Sequence, residues 1–594
     1  MCIRHMYVTA VGIMPAIVAG ARSDEKRTHP GDLVVMSGGR VGKDGIHGVT
    51  ASSHIYSEHT PAGHVQIGDP YTQKKMHDFL IEARDRGLIA FITDCGGGGL
   101  SSAVGESARF SGGVEVDLDR VPLKYSGLDQ WEIWISESQE RMVIAVDPAH
   151  IDAFLELSRG HAVESTVIGR YTDSGFVHLK YEGASCAQIA LDFFASDFPQ
   201  WEFEAEWLSP EQRGLHEPVL SEPKDHAGCL LAMLARPNLA SREWIQRQYD
   251  HEVQGGSVGK PLVGVNHDVP ADAAVLRPVL DSPRGLAITQ ALNPGYSAID
   301  THAMTAVTID EAVRRLIAVG GDPGHIGGLD NFCWPEIRFD PTRNPDGKYK
   351  AAQLVRSCLA LKAACLAMDI PLLSGKDSMY IDGSLEGSFG ERRRVSGLPA
   401  LQFTAVSVLP DVRRAMSLEW KRAGEAIYVL GPTRDELGAS EYYGLFGLLG
   451  RHVPTADHER AFAMYRALAD AMRRGLVSAA HGIYRGGLGV HLACMGMAGG
   501  LGAEVSLEPV PCGPVILRND VLLYSESGGR LIVTVPSACQ EEFEARLAGH
   551  CFAMIGTVVE RPNLLVRGIS GETILDVPLE TLWRAWKEPF GHLV

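Results

Sequence analysis

Apolar residues along this chain come in short runs that stop at glycine or acidic positions, the pattern of buried strands ending in turns. Leu33 to Met36, Ala90 to Ile92, Val143 to Val146 and Ile532 to Val535 are such runs. Between them, around Gln73 to Asp85 and Ser101 to Phe110, the spacing predicts helices. Strands alternating with helices make the class α/β or α+β. One junction organises the rest: in Ala90-Phe-Ile-Thr-Asp-Cys-Gly-Gly-Gly-Gly-Leu100, Asp94 sits at a strand tip before four glycines. Glycine lets a ligand approach the main chain closely. Successive N–H groups in such a turn form an anion-binding nest, and an acidic neighbour suits Mg²⁺.

A damaged copy of this junction returns downstream. Gly98-Gly99-Leu100 aligns with Gly486-Gly487-Leu488, and Ser136-Glu-Ser-Gln-Glu-Arg-Met142 with Ser525-Glu-Ser-Gly-Gly-Arg-Leu531. Upstream, Gly31 to Gly38 matches Gly424 to Gly431. Three landmarks in one order indicate a duplicated domain rather than a short-period repeat. The copies differ where chemistry would sit, because Asp94 becomes Gly482 and Gln139 becomes Gly528. Only the first copy is then expected to work on a ligand.

These signals divide the chain into a remnant at 1–25, a first duplicated domain at 26–185, a linker at 186–225, a different domain at 226–415 and the degenerate copy at 416–594. The start, with Arg4, His5 and the apolar stretch to Gly20, superficially resembles a signal peptide. A core strand over Tyr7 to Ile13, at the end of a domain whose start is missing, fits the cytosolic character of the rest better. The linker is acidic and aromatic around Phe198 to Trp207 and reads as draped over a surface. Thr308-Ile-Asp-Glu311 has the form of a capping box, starting a helix that stops at Gly320-Gly-Asp-Pro323. Gly328 to Glu336 and Leu373 to Ser378 read as loops, and neither the second loop nor Gly259-Lys260 has the spacing of a Walker A phosphate loop.

Composition narrows the function. Hydrophobic residues at 45% and charged ones at 22% support large cores. A net charge of −18 disfavours nonspecific nucleic-acid or anionic-membrane binding, while leaving anionic substrates open to a local nest or metal. Eleven cysteines without metal-type spacing point to a reducing, cytoplasmic setting. No apolar run looks long enough to cross a membrane.

Leu239-Ala-Ser-Arg-Glu-Trp-Ile-Gln-Arg-Gln-Tyr-Asp-His-Glu-Val253, with the Gln66, Asp94 and Glu137 loops, closely resembles phosphoribosylformylglycinamidine synthase, in the superfamily of aminoimidazole ribonucleotide synthetase. The resemblance covers essentially the whole chain. It implies a duplicated A–B–A–B architecture, with a barrel-like core of A domains flanked by B domains, here the domains at 26–185 and 416–594. It also implies the reaction. ATP activates the amide oxygen of formylglycinamide ribonucleotide as an iminophosphate, and ammonia displaces phosphate to give the amidine. By motif match Gln66, Glu137, Ser138, Gln139 and Ser378 would hold the ribonucleotide, Asp330 and Gly375 would contact ATP, and Asp94 would ligate Mg²⁺. Ammonia would come from a separate glutaminase subunit, with a small bridging subunit as a further partner.

Three departures from the family pattern follow. The family's catalytic histidine belongs to a segment preceding this chain's first residue, so the chain is expected to be incomplete alone. Lys376 stands where the family's small form has a metal-binding Asn, and suits phosphate or carboxylate instead. In a degenerate auxiliary site, Asp300 and Glu311 match metal ligands, but Arg315 and Gly482 replace the other two. The expectation is that Arg315 pairs with Glu311 and Asp300, leaving that site structural and nucleotide-free. A different class, a non-catalytic scaffold derived from the enzyme, is the alternative. Intact Gln66, Asp94 and Glu137–Gln139 favour the ligase.

Overall fold

The structure, a computed structural model, describes residues 7–51, 53, 62–66, 68–195, 200–250, 253–386, 391–513 and 516–593. Arg4, His5, Phe198, His251 and Glu252, which the sequence reading cites, lie outside the described residues. The chain divides into two compact units. One is Ala10–Glu202 with Tyr380–Val395, and the other is Met1–Thr9, Phe203–Met379 and Ser396–Val594.

The first unit holds a seven-stranded sheet. Its strand order is Phe91–Asp94, Arg141–Val146, Leu33–Gly38, Ser165–Tyr171, Val114–Asp117, Phe176–Tyr181 and Ala184–Ala190. The second unit contains a sheet of the same order: Ala479–Gly482, Leu531–Val535, Ala426–Leu430, Phe552–Val559, Gly502–Ser506, Asn563–Arg567 and Thr573–Pro578. Each is antiparallel apart from one parallel pair, the fifth strand with the sixth. Each has a register shift in its third strand, after Val34 and after Ile427. A glycine in each fourth strand explains why the backbones can approach there. A Cβ on Gly169 would meet the Glu115 carbonyl at 2.1 Å, and one on Gly556 would meet the Glu504 carbonyl at 2.1 Å. Helices follow suit: Pro70–Asp85 and His458–Arg473 both have 16 residues, and both start behind an aspartate cap, Asp69 and Asp457. We call the two copies the leading and trailing modules.

The remaining sheet, in the second unit, is six-stranded and open. It runs Ser257–Gly259, Ala274–Leu276, Gly285–Leu292, Ala400–Leu409, Ile326–Cys333, Leu372–Ser378. The barrel-like core implied by the resemblance is therefore an open sheet among the described residues. Helix Thr301–Ala318 packs against it and is buried along almost its whole length.

Several local expectations are corrected. The helix begins at Thr301 behind Asp300, whose carboxylate accepts from His302 N at 2.8 Å, so Thr308 is mid-helix and no capping residue. Its hydroxyl donates to the Met304 carbonyl instead. The stretches around Asp330 and Gly375 are paired parallel strands rather than loops, in register from Leu329–Ser374 to Cys333–Ser378. No strand covers Tyr7 to Ile13, where Val8, Val11 and Ile13 are exposed. The leading sheet runs to Ala190, past the expected limit at 185, because its last strand pairs with Phe176–Tyr181. Helix Gly347–Met368 is long and apolar enough, by length and composition, to cross a membrane, contrary to expectation. It packs along Thr301–Ala318 with Ala351, Ala360, Ala364 and Met368 buried, the role of a core helix. The linker after Phe203 lies on this helix, with Trp207 stacked on Tyr349 at 5.4 Å.

Candidate active site

The leading module's glycine loop is shaped by a frame from the strand-adjacent segment Ser136–Arg141. Gly98 and Gly99 have φ of +79° and +58°, which glycine adopts freely. A Cβ on Gly99 would meet the Ser136 carbonyl at 2.0 Å. Buried Glu137 spends both carboxylate oxygens on the chain. Oε1 accepts from Gly98 N at 3.0 Å, and Oε2 accepts from Val49 N at 2.8 Å and from the Gln66 amide. Ser138, also buried, donates to Asp44 Oδ1 at 2.8 Å and accepts from Gly42 N at 3.0 Å. Below them the Arg141 guanidinium donates from Nε to the Ser138 carbonyl at 2.7 Å and from Nη2 to that of Ser136 at 2.5 Å. Burial holds Arg141 below the ordinary arginine value.

Two of the expected ligand groups remain open. Asp94 is exposed at its strand tip, with Oδ1 accepting from Gly96 N at 2.8 Å. Gln139 is half-buried and donates from Nε2 to the Glu137 carbonyl at 3.0 Å. Both line one cavity of about 260 Å³ with Gly96, Glu140 and Arg141. The side chains of Glu137 and Ser138 hold the loop. Gln66 bridges the two roles, exposed but tied to Glu137.

Asp330, Gly375 and Ser378 belong to the other unit. Asp330 stands opposite Gly375, and Cys333 opposite Ser378, on paired strands. A Cβ at 375 would meet Asp330 Oδ1 at 2.8 Å, so glycine leaves room for that carboxylate. Burial, with help from the Asp377 charge, pushes the Asp330 carboxyl up. Lys376 donates to the Asp377 carbonyl at 2.9 Å.

The trailing module repeats the frame without the open groups. Glu526 Oε1 accepts from Gly486 N at 2.8 Å and Glu441 N at 2.9 Å, and Oε2 accepts from the Tyr296 hydroxyl. Arg530 donates from Nε to the Ser527 carbonyl at 3.1 Å, and from Nη2 to that of Ser525. Burial pushes Glu526 up to about 7. The folded chain then holds a proton that the unfolded chain releases above the ordinary 4.5. Stability from this group is therefore full below that value and falls as pH rises towards 7. The gap corresponds to about 3 kcal/mol. Glu526→Gln cannot titrate, so the wild-type melting temperature should fall relative to the variant's between pH 5 and 7. Parallel thermal melts across that range check this.

At the degenerate auxiliary site Arg315 meets Glu311 as expected, Nη2 to Oε1 at 2.8 Å. Burial pushes the Glu311 carboxyl up, but Arg315 and Asn293 outweigh it and hold the group low. Asp300 does not join them. It lies three turns away along the helix and pairs with Arg356 at 2.5 Å. Gly482 is glycine because the Tyr484 ring fills the space, 2.1 Å from where a Cβ would stand. The Arg315 guanidinium lies over that ring at 4.1 Å.

Sequence reasoning missed what holds Tyr484. Its hydroxyl donates to Asp272, which also meets His481 Nδ1 at 2.8 Å. His481 Nε2 meets His491 Nδ1 at 2.8 Å, and His491 Nε2 meets the Arg485 carbonyl at 3.1 Å. A carbonyl only accepts, so His491 carries its proton on Nε2 and accepts at Nδ1. His481 must then donate from both nitrogens, an imidazolium facing the Asp272 carboxylate. No metal-type spacing in the sequence signals this cluster, since Asp272 lies 209 residues before His481. Among the described residues no group of three His, Cys, Asp or Glu side chains suits a metal ion.

Comparison with known proteins now adds to the geometry. The family model for the C-terminal domain of AIR synthase related proteins matches twice, over residues 29–182 and 422–568. A Methanopyrus kandleri protein named phosphoribosylformylglycinamidine synthase subunit PurL is 34% identical over 99% of this chain and 77% of its own length. One of the same name from Moorella thermoacetica is 33% identical over 95% and 73%. Among solved structures, Thermotoga maritima PurL complexed with FGAR superposes with a TM-score of 0.60 at 22% identity, covering 91% of this chain and 73% of that one. The structure titled PurLQS from the same organism gives 0.58 at 21%, covering 91% and 74%. These likenesses show a shared fold.

Proposed function

This chain belongs to the phosphoribosylformylglycinamidine synthase subunit family, and on that premise we propose how its own residues serve the reaction. It is a carbon–nitrogen ligase of purine biosynthesis, converting formylglycinamide ribonucleotide to the amidine at the expense of ATP. The observation that carries the reading is the leading module's cavity, which keeps Asp94 and Gln139 beside the glycine loop where the trailing module has Gly482 and Gly528.

Asp94 suits Mg²⁺ as a ligand: it is a hard oxygen donor, exposed, with one oxygen fixed by Gly96 N. Magnesium commonly takes one or two carboxylates and completes its shell with substrate phosphates and water, so a single protein carboxylate suffices. When bound, the ion would neutralise charge on the transferring phosphoryl group. Gln66 and Gln139 would bind and orient the ribonucleotide through their amides. Glu137, Ser138 and Arg141 would act as positioning residues, keeping the loop's N–H groups aimed at anionic oxygens. Asp330, Gly375 and Ser378 would contribute to ATP and substrate on their own strand pair.

The relatives are named as subunits, which makes a multi-subunit enzyme the coarse expectation. A glutaminase subunit supplying ammonia and a small bridging subunit are the partners proposed, in the cytoplasm, in keeping with the free cysteines among the described residues. The test is amidine formation from the ribonucleotide, ATP and ammonium chloride. It is run with the chain alone and with the part of a relative that this chain does not cover added as a second polypeptide. Amidine in either arrangement supports the ligase. Its absence from both, with the ribonucleotide still bound, would leave the scaffold reading.

A further inference from the structure

We propose that the trailing module carries a separate pocket for a phosphate-bearing anion, built at the start of helix His458–Arg473 around Arg434. A cavity of about 580 Å³ opens there, within the size range of small-molecule sites. Arg434, Arg460 and His550 line it together with Met464 and the backbone of Gly528 and Gly529. Arg434 Nη1 is buried and finds no hydrogen-bond partner among the described residues. Nη1 has no accessible surface, so a ligand in the cavity would meet the guanidinium through its lining atoms rather than through that donor. The guanidinium fork matches the oxygens of a phosphate, and a helix start adds favourable N–H dipoles. The acidic group at this cavity, Asp457, is already engaged. It caps the helix by accepting from Arg460 N at 3.2 Å and lies 3.5 Å from Arg460 Nε.

The leading module supplies the contrast. Its serine pair brackets Gly42, with Ser136 Oγ donating to the Gly42 carbonyl at 2.7 Å and Gly42 N donating to Ser138 Oγ at 3.0 Å. In the trailing module the same two bonds, at 2.7 and 3.1 Å, bracket Arg434. The corresponding leading cleft, about 310 Å³, has its cations spent. Arg40 pairs with Glu164 at 2.8 Å, and Lys75 donates to the Ala162 carbonyl at 3.1 Å. Gly38 N bonds the Glu164 carbonyl as Gly431 N bonds that of Cys551, so a neutral thiol stands where the carboxylate was. The trailing module has thus gained an arginine and lost its counter-charge at one place. The ligand class is a small phosphate, free or as the monoester of a sugar, facing the Arg434 guanidinium, with His550 and Arg460, itself beside Asp457, lining the same cavity.

The test is calorimetric titration of the full chain with inorganic phosphate and, separately, ribose 5-phosphate. Wild type is compared with Arg434→Met, Arg460→Met and Arg40→Met. The expected result is an affinity at least tenfold weaker in the first two variants and unchanged in the third. Tighter binding of ribose 5-phosphate would identify a monoester site, and equal binding a free-phosphate site. Arg460 is 91% exposed, so its variant carries the test should Arg434→Met not fold. Affinity unchanged in both trailing-module variants, or saturable binding by neither probe, would overturn the proposal.

Discussion

Asp94→Asn is expected to lower amidine formation by roughly 100-fold, about 3 kcal/mol of transition-state stabilisation, while leaving the fold intact. The two parts of this expectation have separate causes. The asparagine oxygen can still accept from Gly96 N, the one hydrogen bond the aspartate makes, so the turn before the glycines keeps its shape. The charge is lost, and with it the ligand for a divalent ion. Steady-state rates at rising Mg²⁺, together with a thermal melt, check both parts. Activity within threefold of wild type at every Mg²⁺ concentration would remove Asp94 from the site.

Asp272→Asn is expected to destabilise the second unit by about 3–5 kcal/mol, the cost of breaking one partner out of a buried ion pair. Asp272 is fully buried and receives the Tyr484 hydroxyl, Gly482 N and the His481 imidazolium. Burial pushes its carboxyl up, yet His481 and Tyr484 outweigh burial and hold it below the ordinary value. Asparagine keeps the shape but leaves the His481 proton without a counter-charge. The amide oxygen, in the Oδ1 place, still accepts from Tyr484 and Gly482 N, so the amide NH2 is turned towards His481 Nδ1, donor against donor. The shift in denaturant midpoint measures the effect. A change below 1 kcal/mol would mean that His481 is neutral.

The duplication was legible because its landmarks are local. The Ser-Glu-Ser segment, the paired glycines and the strand-ending glycines recur as short words, and the two modules share one strand order. The packing role of the glutamate was not legible for a physical reason. A carboxylate in a loop after a strand looks like a ligand group. Only three dimensions show Glu137 and Glu526 each accepting from a glycine N–H of the facing loop. Their recurrence in a module without Asp94 or Gln139 was the available signal. Asp300 was misplaced because sequence matching gives no distances along a helix. Its pairing with Arg356 depends on how two helices pack. The link from Asp272 to His481 and His491 was invisible, because tertiary structure alone brings Asp272 across 209 residues to that pair.

The strand Leu372–Ser378 forms one edge of the open six-stranded sheet and is exposed along nearly its whole length, Leu373 at 62%. A strand at a sheet edge can template pairing with another extended chain, including a second molecule of the same protein. Lys376 and Asp377 sit midway along it, as gatekeepers against that outcome. In concentrated solution this edge offers a route to aggregation, so charge-removing changes at these two positions carry a colloidal penalty whatever they do to chemistry.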